Sequence, residues 1–584
     1  MKKILRVVAI TSTVMVVILG AFLWNMNRLS KQKAAKQEKL LAQERDLLPD
    51  SRQKAIDKVE KVNIKQLYLS GNNKNVVTVP STGLKQVYDG SQSTKAEEML
   101  TTVKKNKQFS FDKPLWAYNP YGTNSQSMYL YFKSDGKGYC RYTVSVDDRN
   151  IADFTRTPFN GGAENITKEH EYQIIGLLPG RVNYITVNFY SPKGELSKTG
   201  TWQITLPADD SGLAGRLSVE EGYSKQTISN GLYVVFADGR KGKDGKKHYA
   251  ITMYDNSGIL RANIPTDGYV GRNVQIIYDS LVVQSSKNCL VRINRLGQVT
   301  HSYPVYGYHF QGEYAYDGSA GVYLLATADR KNMTVGSKVL KIDLENKKVS
   351  QVLDMDTLLK SVYARAKKKD NAKNWISLDS IQCTGTNQLL LSSSKLSSVF
   401  KVSRVGSLLP SVDYIIADAS QWKSYKGLKK KVLTKTLADG KDPDPTQTPV
   451  IQSILQTPKP AELFRSHYGQ NSIVYTKGSG EGFYRLELLN NNAGKGAGSK
   501  NSSYYCRYLV DETSHTYQLQ SEKALPHTET EGNVTVDKKV VIYCDSDSKS
   551  INETDNGAKL IRKYTAPMKL YRVYKDDWKG FWFY

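Results

Sequence analysis

The chain has 584 residues, 39% of them hydrophobic, which is enough apolar material for more than one folded core. Its 82 Lys and Arg against 56 Asp and Glu leave a net charge of +26, a balance that invites an anionic partner. The five cysteines are widely spaced and form no CxxC pair, which excludes a dense disulfide framework and argues against a metal site; an oxidised Cys506–Cys544 pair stays open.

Residues 4–24, ILRVVAITSTVMVVILGAFLW, form an apolar run flanked by Lys2, Lys3 and Arg6. A helix needs about 20 such residues to cross a bilayer's hydrocarbon core. No A-x-A-like cleavage site and no lipidatable Cys follows, so residues 1–27 are expected to be an uncleaved transmembrane signal anchor, a cleaved signal being the alternative. That places the remainder outside the cytoplasm on a single-pass membrane protein and argues against nucleic acid as the anionic partner. Residues 28–62, rich in Lys, Glu, Gln and Ala with Pro49 as the one breaker, predict a helical stalk, continued by a linker to residue 107. Over 108–207, YLYFKSDGKGYCRYTVSVDD, EYQIIGLLPGRVNYITVNFYSPKGE and TWQITLPADD read as strands joined by short turns, a small β-sandwich.

Repeats govern the region 208–584. HYAITMYDNSGIL, CLVRINRLGQV, SKVLKIDLENKKV, SSVFKVSRVGSLL, YYCRYLVDETSHTYQ and MKLYRVYKDDWKGFW each read as strand, polar turn, strand, and each is preceded by a further strand-like run such as LYVVFADG or VYLLATAD. Period-2 alternation recurring every 40 to 60 residues or so marks a repeat array, and six copies predict an all-β, six-bladed β-propeller. Its blades would bury their faces against one another around a central channel. An insertion is expected at 410–460, between the fourth and fifth repeats.

His467 sits in AELFRSHYGQNSIVYTKG, just ahead of a strand-like run. His170, His248, His301 and His515 have no carboxylate or Cys at metal-ligand spacing and read as surface residues. YARAKKKDNAK (363–373) and KGLKKKVLTK (426–435) read as solvated basic loops, with contact to an anionic envelope polymer or lipid headgroup as the other reading. GSGEGF (478–483) is a hairpin turn rather than a phosphate loop, because no helix pattern follows it.

The order of anchor, sandwich containing HEYQIIGLLPGRVNYITV, and six-bladed propeller resembles the nucleotide-independent bacterial aryl-sulfate sulfotransferases over residues 108–584. NWISLDS (374–380) resembles that family's Asp-Trp-x-His-x-Asn-Ser segment, LLLSSSKLSSVFKV its Ser-Ser-Arg strand, VDYIIADASQW its Trp-Ile-Leu-Gly stretch, and RSHYGQNSIVYTKG its Gln-His motif. The resemblance implies transfer of a sulfuryl group from a phenolic sulfate ester to a phenol through a sulfohistidine, with no metal or cofactor. It places His467 as the nucleophile, a role that suits a neutral imidazole, and His309 as a donor to a sulfuryl oxygen or acid for the leaving phenolate. Ser377 and Asp379 stand where the family has His and Asn, and Asp379 would set a negative charge beside an anionic substrate. The family's Arg falls at Ser394, with Lys395 adjacent as a point cation. Arg465, and Thr530 in competition with Thr528 and Thr535, complete the candidate substrate-binding set. These replacements keep a second reading open: a degenerate propeller that binds a sulfated or phosphorylated ligand at the cell surface. A homodimer also stays open.

Overall fold

The computed structural model describes residues 83–436 and 464–584, apart from 214, 331–333, 370–372, 479, 495–501, 538 and 557, and before them 28, 60–63, 76–77 and 79. The expected anchor, nearly all of the stalk over 28–62 and residues 437–460 of the expected insertion lie outside the described residues. Among the described residues no helix is long and apolar enough to cross a membrane. The chain divides into a small unit, residues 1–61 with 200–203, and a large one, 62–199 with 204–584. In the small unit, residues 200–203 belong to the strand Leu196–Thr205.

The N-terminal part of the large unit is organised by one strand of 20 residues, Ser127–Val146. Its first six residues, SMYLYF, are buried on both faces, whereas Tyr139–Val146 alternates buried and half-buried positions. The first half pairs with Thr167–Ile175 and Leu115–Tyr118, the second with Val182–Tyr190 and Phe154–Arg156. The register shifts between Lys133 and Gly138, where the strand passes from one set of partners to the other. Only glycine fits at 138, because a Cβ there would collide with the Tyr190 carbonyl and the Phe189 ring.

The linker expected to run to residue 107 is, from residue 84 to 106, a pair of packed helices, Leu84–Tyr88 and Ser91–Asn106. Ala96 and Leu100 face a cluster with Leu115, Ala117, Tyr129 and Tyr131. Polar groups then fasten this part to the sheets that follow. Tyr88 donates to the Pro265 carbonyl, and the Val299 amide donates to Ser93 Oγ at 2.9 Å. Arg261, 1% exposed, bonds Asp255 at 2.7 Å and donates to the carbonyls of Ala152 at 2.7 Å and Gly176 at 3.3 Å.

Six sheets follow in chain order, each a meander of four antiparallel strands, three of them with a fifth strand added. The second to sixth begin at Gln275–Ile277, Tyr308–Tyr316, Leu378–Gly385, Asn471–Lys477 and Asn533–Asp537. The first begins at Leu232–Ala237, and the last strand of the chain, Leu570–Asp576, pairs with it in antiparallel register. Ser218–Glu221, from ahead of the first sheet, pairs with Leu560–Thr565 at the outer side of the sixth. The array is therefore propeller-like, and its sheets are called blades below. Between neighbouring blades lie apolar layers such as Tyr323, Leu325, Val339, Leu389, Leu391 and Phe400 between the third and fourth.

Three assignments differ from the sequence expectation. MKLYRVYKDDWKGFW does not form the outer hairpin of the sixth blade; its strand completes the first. The sixth blade's outer pair is instead Ser550–Asp555 and Leu560–Thr565. SINETD is mostly polar, yet Glu553 is fully buried, where Lys575 bonds it at 3.2 Å. The insertion also begins later than 410, since Ser411–Ala417 is the fourth strand of the fourth blade. His170 is not at the surface: it is fully buried, stacked on Phe132 with centroids 4.5 Å apart, and burial lowers its pKa to about 4. All five cysteines are free, so Cys506 and Cys544 are not joined.

Gly138→Val should lower stability by roughly 2 kcal/mol or more through overpacking at the bend, whereas Gly136→Val, where a Cβ meets nothing within 4 Å, should change it little. Thermal unfolding of the two variants checks this, and equal melting temperatures would contradict it.

Candidate active site at the centre of the blades

The blades' first strands converge on one side chain. Arg572, 1% exposed on the closing strand, pairs with Glu313 of the third blade. It also donates to Ser380 Oγ of the fourth blade at 3.2 Å, and in the fifth to Asn471 Oδ1 at 2.9 Å and Ser472 Oγ at 3.3 Å. A buried guanidinium requires this many partners, since leaving a charge uncompensated there costs several kcal/mol. Burial lowers its pKa to about 10, which leaves it charged at neutral pH.

Above this layer lies a cavity of about 330 Å³, lined by segments where first strands begin and where second strands turn into third. Gly312, at φ +72°, lets the third blade's strand approach the fourth: a Cβ would stand 2.8 Å from the Asp379 carbonyl. The fourth blade contributes Ser377, Asp379, Ser394 and Lys395, the fifth Asn471, and the segment before the sixth Thr530. Ser377 adopts φ 45°, a left-handed conformation unusual for serine. The Ser394 amide donates to Asp379 Oδ2 at 2.6 Å and Ser380 Oγ donates to Oδ1 at 2.9 Å. Burial nevertheless pushes the Asp379 carboxyl up to about 7, so near neutral pH much of it is protonated and the expected repulsion of an anion is reduced.

The lining holds two cations in different states. Arg272 is neutralised by Glu531, 3.2 Å away, and lies over the Tyr571 ring at 3.8 Å. Lys395 is exposed and has no carboxylate partner among the described residues. Ser377, Asp379, Lys395 and Thr530 are thus brought together, although they are drawn from positions up to 153 residues apart.

The histidines and Arg465 do not join them. His467 is fully buried in the fifth blade's aromatic layer, its ring 5.8 Å from that of Tyr508 and its Nδ1 3.4 Å from the Tyr508 hydroxyl. Nε2 is buried without a hydrogen-bond partner among the described residues. His309, its side chain 29% exposed, pairs through Nε2 with Asp329 at 3.0 Å. Arg465 donates to the Tyr504 hydroxyl at 2.9 Å and stacks on that ring. None of the three lines the cavity. Conversely, the sequence reading missed Arg272, Asn471 and Arg572; for Arg572 a signal exists, since an arginine occupies a buried phase of LYRVYKD. Among the described residues no cluster of three or more His, Cys, Asp or Glu could hold a metal ion.

Comparison with known proteins bears on this site. The family described as Arylsulfotransferase (ASST) matches residues 218–539, and the Arylsulfotransferase Ig-like domain matches 115–207. No curated protein matches the chain. Solved structures resemble it distantly: a periplasmic gluconolactonase from Pseudomonas aeruginosa at 10% identity and TM-score 0.32, covering 74% of this chain and 99% of that one. An auxiliary nutrient binding protein from Bacteroides thetaiotaomicron is similar at 7% identity and TM-score 0.31, covering 76% and 86%. At that distance neither bears on activity, whereas the family match runs from Ser218 through the fifth blade to the first strand of the sixth, more than half of the chain, and by it the chain belongs to the arylsulfotransferases, a family of sulfotransferase enzymes.

Proposed function

We propose that the central cavity binds the sulfate group of an aryl sulfate and that its sulfuryl group passes from there to a phenol. The observation that carries this reading is the convergence of Ser377, Asp379, Lys395 and Thr530 on one cavity of about 330 Å³, within the size range of small-molecule sites (~300–1,000 Å³). Lys395, in no ion pair among the described residues, supplies the positive charge for the sulfate oxygens, and the hydroxyls of Ser377 and Thr530 supply donors. Over the whole reaction the donor's S–O bond breaks, the acceptor's oxygen takes the sulfuryl group, and the acceptor's proton ends on the departing phenolate. Asp379, titrating near 7, is the lining group suited to carry that proton. The apolar run at 4–24 would tether the blades to a membrane with the site outside the cytoplasm.

A covalent relay through His467 matches its protonation state but not its position. Burial, and next the charge of Lys435, lower its pKa to about 3, so the imidazole is neutral. It is also sealed, and relay would require the segment carrying it to move. A second reading, binding of an anionic ligand without turnover, is favoured by the absence of both histidines from the lining.

With 4-nitrophenyl sulfate and a phenol acceptor, the full-length protein should release nitrophenolate, and Lys395→Ala should raise KM about tenfold, the worth of one charge-assisted hydrogen bond. Calorimetric binding of the ester with no release for any acceptor would establish the second reading instead. Release that survives in His467→Ala would remove the relay.

His467 also sets an acid limit. Its folded pKa lies below the ordinary 6.5, so its contribution to stability is complete above that value and is lost as pH falls from 6.5 towards 3. His467→Leu should therefore flatten the fall of melting temperature over this window, and an unchanged slope would contradict the assignment.

A further inference from the structure

Asn471 is 6% exposed, lies at the start of the fifth blade's first strand and lines the cavity floor. Its Oδ1 accepts from Arg572 Nη2 at 2.9 Å and from the Ser472 amide at 3.1 Å. Both of those groups are donors only: a guanidinium and a peptide N–H have no lone pair to offer. The atom facing them must therefore be the amide oxygen, and the orientation of the carboxamide is settled by chemistry rather than by choice. The bonds of this carboxamide among the described residues all go to Oδ1, which leaves Nδ2 unbonded on a residue that lines the cavity. An N–H donor on the floor of a cavity with Lys395 at its wall asks for an oxygen of an anion.

We propose that Asn471 binds an oxygen of the sulfate ester through Nδ2, and that Arg572 is the positioning residue that holds the amide in this sense. This rests on the cavity being the sulfate-ester site. Arg572 does not itself line the cavity; its charge is matched by Glu313 beneath it. It acts by occupying the amide oxygen, so that the amide meets the ligand only as a donor. A rotation of the carboxamide would bring two donors face to face at Arg572 and an oxygen towards the anion, and both changes are unfavourable. The sequence position alone does not show this, because Asn at a strand start is commonplace; the partner lies 101 residues away on the closing strand.

The test uses calorimetric titration of the full-length protein with 4-nitrophenyl sulfate. Asn471→Asp keeps size and shape and gives Arg572 a carboxylate partner, so melting temperature should hold or rise while affinity falls at least about tenfold, the second oxygen now facing the anion. Arg572→Lys keeps the charge against Glu313 but loses the planar fork. It should weaken binding in the wild-type background and add nothing in an Asn471→Ala background, because a residue that acts only through the amide has nothing left to orient. An Asn471→Asp protein that is folded and binds as tightly as wild type would overturn the proposal. So would equal effects of Arg572→Lys with and without the Asn471 amide. Failure of the wild type to bind the ester at all would instead overturn the cavity's assignment as its site.

Discussion

The structure depends on a single buried cation. Arg572 arrives with the last strand of the chain and makes contact with first strands of the third, fourth and fifth blades through Glu313, Ser380, Asn471 and Ser472. Such a pair adds little net stability compared with a well-packed apolar group, because desolvation offsets most of its attraction. What it gives is selection among alternatives. A closing strand shifted by one residue would send this guanidinium to the opposite face, leaving Glu313 buried alone at a cost of several kcal/mol. The polar centre therefore rewards one register of the closing strand, and that register in turn fixes where the cavity floor lies.

The cavity's charge follows from the same economy of partners. Arg272 is held by Glu531 and by the face of Tyr571, so its field is largely spent within the wall. Lys395 stands in a turn between the fourth blade's second and third strands, where it makes no ion pair among the described residues. Asp379 lies in the same blade and would cancel Lys395 if ionised; desolvation keeps it partly neutral. Among the described residues of the lining, Lys395 is thus the cation without a carboxylate partner, with hydroxyl donors and Asp379 near it, while Glu529, also in the lining, is bonded to His527 at 3.1 Å.

Much of the architecture is written in local pattern. LYVVFA, LVVQSS, VYLLATA and LLLSS are short apolar runs between turn residues, and each became an inner strand of a blade. What local pattern does not carry is which strand belongs to which blade. MKLYRVYK has the alternation of any hairpin strand, and only its pairing with Leu232–Ala237 assigns it to the first blade. Polar strands are invisible for a related reason: SINETD becomes core through Glu553 and Lys575, a pairing across 22 residues that no window reveals. In the site, the NWISLDS segment supplies residues that line the cavity because it enters its strand directly. RSHYGQNS did not, since between His467 and Ile473 the backbone passes through left-handed conformations at Gly469 and Ser472. Those two residues decide which side chain faces the cavity, and it is Asn471 rather than His467.

That local turn also weighs on mechanism. To bring His467 to the cavity, the segment would have to give up its layer with Tyr508, the bond between Ser466 and Lys435 at 2.6 Å, and the bond between Tyr468 and Asp418 at 2.6 Å. Loss of one buried ring costs about 2 kcal/mol and two hydrogen bonds about 1 kcal/mol each, so an exposed conformer would be populated at roughly one part in a thousand. A covalent route would carry that factor in its rate. Transfer between two phenols held in one cavity carries no such factor but needs a donor that stabilises the sulfuryl oxygens without moving. The fixed amide of Asn471, with Lys395 beside it, is placed for the second arrangement, and the static geometry accordingly favours chemistry on the cavity floor over chemistry in the aromatic layer behind it.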